Sequence, residues 1–108
     1  MKRGEVWTAA GGPDYAGKPR PVVVLQNDHF AFTVSITICP LTTNPADIPL
    51  LRPEISPTVK NGLKSPCRLM VDKITTIPRE KLGIRVGHLD SADVSLLNRA
   101  VFVFLGLG

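Results

Sequence analysis

An arginine wedged between two prolines, directly ahead of an unbroken apolar run, limits the possible folds of this chain more than any other feature. The segment reads Lys18-Pro19-Arg20-Pro21-Val22-Val23-Val24-Leu25-Gln26-Asn27-Asp28. Each proline holds its own φ near about −65° and keeps the preceding residue out of the helical region. The stretch is therefore extended, and Val22 to Leu25 is too apolar to be a strand with one wet face. A strand over Arg20 to Asn27, buried on both sides, is the expectation. Arg20 then stands on stiff backbone at the mouth of that strand, a good mounting for a guanidinium that grips a phosphate.

A strand period runs through most of the remaining chain. Gly4 to Ala9 predicts a first strand, with Val6 and Thr8 facing one way and Glu5 and Trp7 the other. Ala10 to Lys18 holds Gly11, Gly12, Pro13, Asp14 and Gly17, which is loop chemistry. In Thr33 to Cys39, Val34, Ile36 and Ile38 alternate with Thr33, Ser35 and Thr37, as a half-buried strand requires. Pro40 is expected near its end, where a lost donor is tolerated. Pro45, Pro49, Pro53 and Pro57 make Asn44 to Thr58 extended, with at most a short strand about Leu50 to Ile55. Asn61-Gly62 signals a hairpin turn. Arg68 to Ile77 reads as a bent strand or strand pair closed by Pro78, and Lys81 to Val86 as a last short strand.

Only the C-terminus changes period. Asp90 suits a helix N-cap, with Asp93 in the favourable first turn. Val94, Leu97, Val101 and Phe104 then recur at spacings of three and four, with Ala100 and Leu105 beside them, and Gly106 and Gly108 end the run. The expected architecture is mainly β (α+β): a small, strongly curved antiparallel sheet closed by one terminal helix. At 108 residues the whole chain, 1–108, is read as a single domain. A domain of that size has a modest core, and a dimer would enlarge it.

The bulk chemistry narrows the function classes. A net charge of +4 favours acidic partners, nucleic acid first. Cys39 and Cys67 lie far apart without metal-ligand spacing, so two buried free thiols in a reducing compartment are expected. Met1 to Trp7 lacks the apolar run of a secretory signal, and no stretch approaches membrane-spanning length. A cytoplasmic protein with no membrane contact follows. The chain has no P-loop, no G-x-G-x-x-G, no H-E-x-x-H and no paired C-x-x-C, so serine-hydrolase and zinc-enzyme readings find no support.

RNA can be cut without a metal, because its own 2′-hydroxyl is an internal nucleophile. The enzyme must help remove that proton, stabilise charge on the phosphorane and protonate the leaving 5′-oxygen. Arg20 offers fixed positive charge and directed donors, and a guanidinium is a poor general base. Thr42, in Thr42-Thr43-Asn44 after the Thr33–Cys39 strand, offers a hydroxyl to a nonbridging oxygen. Lys18, Asn27, Thr43 and Asn44 are candidate RNA contacts, since polar donors must hold splayed bases and phosphate. Taken singly, each has a plain structural reading as well. Arg20 suits a surface cation at a strand edge, the Thr-Thr-Asn run a turn that caps its own backbone, and Asp72-Lys73 an exposed charge pair of small worth.

In this order, the same residues resemble the MazF/PemK family of bacterial toxin endoribonucleases. Arg3-Gly4-Glu5-Val6-Trp7 is similar to the family's opening RGDVW strand, and Gly17 to Asp28 to its G…RPVVVLQND. Pro40-Leu41-Thr42-Thr43-Asn44 is similar to its PLTT segment, and Val71 to Ile77 with Leu82-Gly83 to its D-Q-I-x-T-I…L-G stretch. The resemblance implies an SH3-like antiparallel β-barrel with a C-terminal helix, a homodimer, and metal-independent cutting of single-stranded RNA at short sequences. The implied products carry a 2′,3′-cyclic phosphate and a 5′-hydroxyl, and no cofactor is implied. The family's catalytic arginine falls on Arg20 and its catalytic threonine on Thr42. The implied partner is a cognate antitoxin whose extended acidic tail occupies the RNA groove. The chain departs from the pattern in the loop Gly12-Pro13-Asp14-Tyr15-Ala16-Gly17, at Cys67 where serine is common, and at Lys73 where glutamine is usual. Two other readings of the same scaffold are a CcdB-like gyrase-poisoning toxin and an inactive RNA- or partner-binding module. The C-terminal Phe104-Leu105-Gly106-Leu107-Gly108 lacks the tryptophan of the gyrase poison, which favours the nuclease.

Overall fold

The computed structural model describes residues 1–10, 18–45 and 50–108. Within them lie seven strands and one α-helix: β1 (Glu5–Ala9), β2 (Arg20–Val24), β3 (Ser35–Thr42), β4 (Glu54–Ile55), β5 (Cys67–Leu69), β6 (Thr75–Pro78), β7 (Leu82–His88) and α1 (Ser91–Leu105). The strands follow the order β4-β5-β3-β2-β1-β7, with β6 also paired to β3. Every pairing is antiparallel.

β3 organises the sheet. One of its edges pairs with β2, Val22 opposite Pro40 and Val24 opposite Ile38. Its other edge is shared: Ser35 to Ile38 pair with β6, and Leu41 and Thr42 pair with β5. Pro40 therefore lies inside the strand, not at its end as the sequence suggests. A strand residue's N–H and C=O point to the same side, and the Pro40 carbonyl accepts from the Met70 amide at 2.8 Å on the β5/β6 side. The missing Pro40 N–H thus faces the step where β5 hands over to β6, so no ladder bond is forfeited. A 3-10 turn at Val71–Lys73 makes that step, which resolves Arg68 to Ile77 into two short strands on one edge.

The sheet is apolar on both faces. Val6, Val23, Cys39, Leu41, Ile55, Cys67, Leu69 and Val71 pack with Leu97 and Ala100 of α1. Val22, Val24, Ile36, Ile38 and Ala9 form a second cluster, flanked by Trp7, Ile77 and Leu82. This is why the valine run shows no alternation: neighbours along β2 enter different cores. Both cysteines are free and buried.

β2 stops at Val24, short of the predicted Asn27. Leu25 still donates to Thr37 O at 3.0 Å. The Gln26 side chain then takes over, accepting from Thr37 N at 2.8 Å and donating to Phe30 O at 2.7 Å. Val34 is 78% exposed rather than part of the buried row, because β3 begins only at Ser35. Asp72 is not an idle surface charge. Its two carboxylate oxygens each accept from Arg52 at 3.0 Å, tying the segment before β4 to the turn after β5.

Asn61 does more than make a turn. It is fully buried, its Oδ1 accepts from Thr58 N at 2.9 Å and Leu63 N at 3.0 Å, and its Nδ2 donates to Ser56 O at 2.9 Å. The loop it shapes joins β4 to β5 and reaches the far side of the sheet, where Lys60 O accepts from His88 N of β7 at 2.9 Å. Gly87 permits the approach: a Cβ there would lie 2.2 Å from Lys60 O.

The helix starts and stops as its sequence predicts. Asp90 Oδ1 accepts from Asp93 N at 2.8 Å, and Gly106 closes the C-terminus in the left-handed region at φ 71°. Arg3 pins it to the sheet, donating to Leu25 O and to Asn98 Oδ1, both at 2.7 Å. Phe104, placed in the buried stripe by its spacing, is 43% exposed, and the buried residues of the helix are Leu97 and Ala100. Among the described residues no helix is long and apolar enough to cross a membrane.

Candidate active site

Arg20 opens β2 and Thr42 ends β3. The β2–β3 ladder ends at Val22 with Pro40; continued two residues further, that register would set Arg20 across from Thr42. Residues directly opposite in an antiparallel pair share a face. The phase also matters. The Leu25 to Thr37 hydrogen bond marks that pair as a bonded one, so alternation makes Val24/Ile38 and Val22/Pro40, the pair next to the rim, non-bonded pairs. Such pairs stand at about 4.5 Å between Cα atoms, the closer of the two classes. Guanidinium and hydroxyl therefore rise from one sheet face at its rim, beyond the apolar cluster of Val22, Val24 and Ile38.

The Thr42 hydroxyl is already oriented. Its Oγ1 accepts from Asn44 N at 3.1 Å, the local turn that a Thr-x-Asn stretch favours. A hydroxyl has one donor and two acceptor positions, so this bond leaves the O–H proton available to another group. Thr42 is half-buried; Arg20, Lys18, Thr43 and Asn44 are exposed. Lys18 precedes Arg20 by two residues, and Thr43 and Asn44 follow Thr42 directly. Lys18 and Arg20 thus stand at the start of β2, and Thr42, Thr43 and Asn44 at the end of β3.

Asn27 lies elsewhere. It follows the opposite end of β2, seven residues from Arg20, on the order of 20 Å along an extended chain. Its Oδ1 accepts from His29 N at 2.9 Å and caps the 3-10 turn Asp28–Phe30. Asp14 lies outside the described residues.

The sequence reading missed a second arginine. Arg68 of β5 is the Cα partner of Thr42 on the side away from Arg20, so it shares their face. It is half-buried, donates from Nη1 to Arg52 O at 3.1 Å, and pairs with Glu54 of β4 at 3.6 Å. Glu54 is in turn the cross-strand partner of Arg68. One row across the sheet thus reads Glu54, Arg68, Thr42, and the continued β2–β3 register extends it to Arg20. In the sequence, Cys67-Arg68-Leu69 carries only a strand alternation; the register supplies the rest.

Beyond β2 the same face continues to Trp7 and Arg85, which are Cα partners on β1 and β7. Glu5 accepts from the Trp7 indole and from Arg85, each at 3.0 Å. Burial works to raise the Glu5 pKa, but its bonds from the Lys2 amide, Trp7 and Arg85 outweigh that and hold it below the usual glutamate value. The thiols offer no nucleophile. Burial pushes Cys39 up to about 12 and raises Cys67 too, which keeps both protonated near neutrality. Among the described residues no three His, Cys, Asp or Glu side chains converge as metal ligands would.

Chemically, the rim offers one fixed cation, one oriented hydroxyl and a second cation on the far side of that hydroxyl. That arrangement suits charge stabilisation on a phosphodiester approached from solvent.

Comparison with known proteins shows the family to which this chain is similar. Over 107 residues the chain is 49% identical to the "Probable endoribonuclease MazF" of Mycolicibacterium smegmatis, covering 99% of this chain and 98% of the relative. It is 30% identical to "Endoribonuclease MazF9" of Mycobacterium tuberculosis over 116 residues, with 99% and 98% covered. Its fold matches the solved "Endoribonuclease in complex with its cognate antitoxin from Mycobacterial species" at a TM-score of 0.80 and 23% identity, covering 100% of this chain and 97% of that one. It matches Mycobacterium tuberculosis toxin MazF-mt6 at 0.80 and 24% identity, covering 94% and 96%. The family model for the PemK-like, MazF-like toxin of type II toxin–antitoxin systems matches residues 2–105, and the chain belongs to that family.

Proposed function

We propose that this toxin is an endoribonuclease that cuts single-stranded RNA at short sequences without a metal, through the RNA's own 2′-hydroxyl. The 2′-oxygen forms a bond to the adjacent phosphorus as the bond from phosphorus to the 5′-oxygen breaks. The 2′ proton leaves to a base, and the departing 5′-oxygen takes up a proton. The products are a 2′,3′-cyclic phosphate and a 5′-hydroxyl, and no oxidant or other reactant is consumed. Arg20 balances the charge that builds on the phosphorane, and the Thr42 hydroxyl donates to a nonbridging oxygen. Lys18, Thr43 and Asn44 line the approach to that phosphate.

The observation that supports the reading is the β2–β3 register, whose continuation past Val22 and Pro40 would bring Arg20 and Thr42 to neighbouring positions on one face. A net charge of +4 suits both RNA and an acidic antitoxin segment competing for the same face. Residues 1–108 act as one unit, a homodimer working in the cytoplasm and held silent by its cognate antitoxin.

The test is incubation of purified protein with a long defined RNA in excess EDTA, followed by sequencing of the new ends. Discrete cuts bearing cyclic phosphate and 5′-hydroxyl ends are expected. Intact RNA, with the protein demonstrably folded, would reject the proposal, and inhibition of gyrase supercoiling by that protein would replace it with the binding-toxin reading.

A further inference from the structure

The row Glu54, Arg68, Thr42, Arg20 contains one cation that the chemistry at the scissile phosphate does not use. The geometry points to Arg68 as a positioning residue for the RNA strand, gripping a phosphate next to the scissile one, with Glu54 occupying its guanidinium until RNA arrives. This rests on the endoribonuclease reading of the rim.

Three observations carry it. First, Arg68 on β5 is the cross-strand partner of Thr42, and Arg20 opens β2 on the other side of β3, two residues from Val22 and so on the face of the Val22/Pro40 pair. Two strand spacings separate their backbones, on the order of 10 Å. Two long side chains from such positions can engage successive phosphates of one strand that runs across the sheet past Thr42. Second, Arg68 is aimed rather than loose. Its Nη1 is anchored on Arg52 O at 3.1 Å, and the Arg52 side chain is itself locked by two 3.0 Å bonds to Asp72. Third, its ion pair is weak. The distance to Glu54 is 3.6 Å, well beyond the roughly 2.7–2.9 Å of a charge-assisted hydrogen bond, and the Glu54 side chain is 53% exposed. A half-exposed carboxylate held at that distance is readily displaced by a phosphate, which accepts from the guanidinium in the same planar fashion. Arg52 and Asp72, by contrast, are paired at both oxygens and belong to the scaffold.

The variants Arg68→Gln, Arg68→Lys and Glu54→Gln separate this role from a structural one. Each is first checked by thermal denaturation, and Arg68→Lys retains a cation should Arg68→Gln unfold. The probe is a short RNA carrying a mapped cut sequence; its 2′-O-methyl form at the scissile nucleotide serves for binding. Arg68→Gln is expected to weaken binding and raise KM about tenfold, with kcat within about threefold of wild type. Its log–log salt slope should become shallower by about 0.7, the loss of one phosphate contact on a single strand. Arg68→Lys should recover most of that slope, and Glu54→Gln should tighten binding about two- to fivefold.

Wild-type affinity and salt slope in folded Arg68→Gln would overturn the inference while leaving the nuclease reading intact, provided Arg20→Ala still abolishes cutting. Loss of kcat in Glu54→Gln with unchanged binding would also overturn it, by making Glu54 a proton-transfer group. Unimpaired cutting by Arg20→Ala would instead sink the underlying assignment of the rim.

Discussion

Arg20 is exposed at the mouth of β2, where its removal tests the chemistry directly. Its effect on chemistry is expected to be large. Arg20→Ala should lower the RNA cleavage rate about 10³-fold or more, and Thr42→Ala about 10²-fold, the scale of losing one transition-state donor. Thr42→Ser should stay within about tenfold of wild type, since it keeps the hydroxyl. Cleavage rates measured beside thermal midpoints check all three. Should Thr43→Ala be the damaging substitution and Thr42→Ala harmless, the functional hydroxyl is one residue further along. Arg20 and Thr42 stand out as candidates because local chemistry marks them: prolines around Arg20, and a Thr-Thr-Asn turn after a strand. Arg68 does not, because its meaning comes from standing opposite Thr42. Asn61 was readable as a turn residue, but its burial depends on three backbone partners that only the folded loop assembles.

At the scale of elements, the strand periods and the capped helix could be read almost directly, whereas the behaviour of β3 could not. A proline argues for a strand end, and it is tolerated inside β3 only because two different neighbours meet beside it. No local pattern announces such a meeting. The Arg52–Asp72 pair is the link that holds this region, and it makes a pH-dependent prediction. The Arg52 hydrogen bonds hold the Asp72 carboxyl below its ordinary 3.8, against the opposing effect of partial burial. A depressed folded-state pKa means that the unfolded chain takes up the proton first as acid is added. The stabilisation is therefore complete above the unfolded value and disappears as pH falls through the lower folded value. Arg52→Gln should destabilise the protein by about 1 kcal/mol at pH 7. The gap to wild type should close once the medium is acid enough to protonate Asp72 in the folded state. Urea denaturation at a series of pH values tests it; a constant gap down to that range would show that Arg52 acts through packing alone.

For the molecule as a whole, the sequence conveyed a curved sheet with a terminal helix. It did not convey that the loop between β4 and β5 reaches β7, where Lys60 O accepts from His88 N. Nor did periodicity alone reveal the exposed apolar end of the helix. Phe102 is 52% exposed, and Phe104, Leu105 and Leu107 are exposed beside it. A second copy of the chain is the occupant consistent with the proposed homodimer. Phe104→Glu should shift sedimentation from dimer towards monomer without lowering helix content. An unaltered dimer would move the contact to another surface. The junction of Lys60 with His88 has a separate bearing on handling and solubility. β7 is the last strand of the sheet's path, and a lone carbonyl from a distant loop caps its final amide. Gly87→Ala would wedge a methyl group into that fastening. Its expected signature is faster deuterium uptake at His88 and a new tendency to form thioflavin-positive filaments, as loosened backbone recruits its own kind from solution.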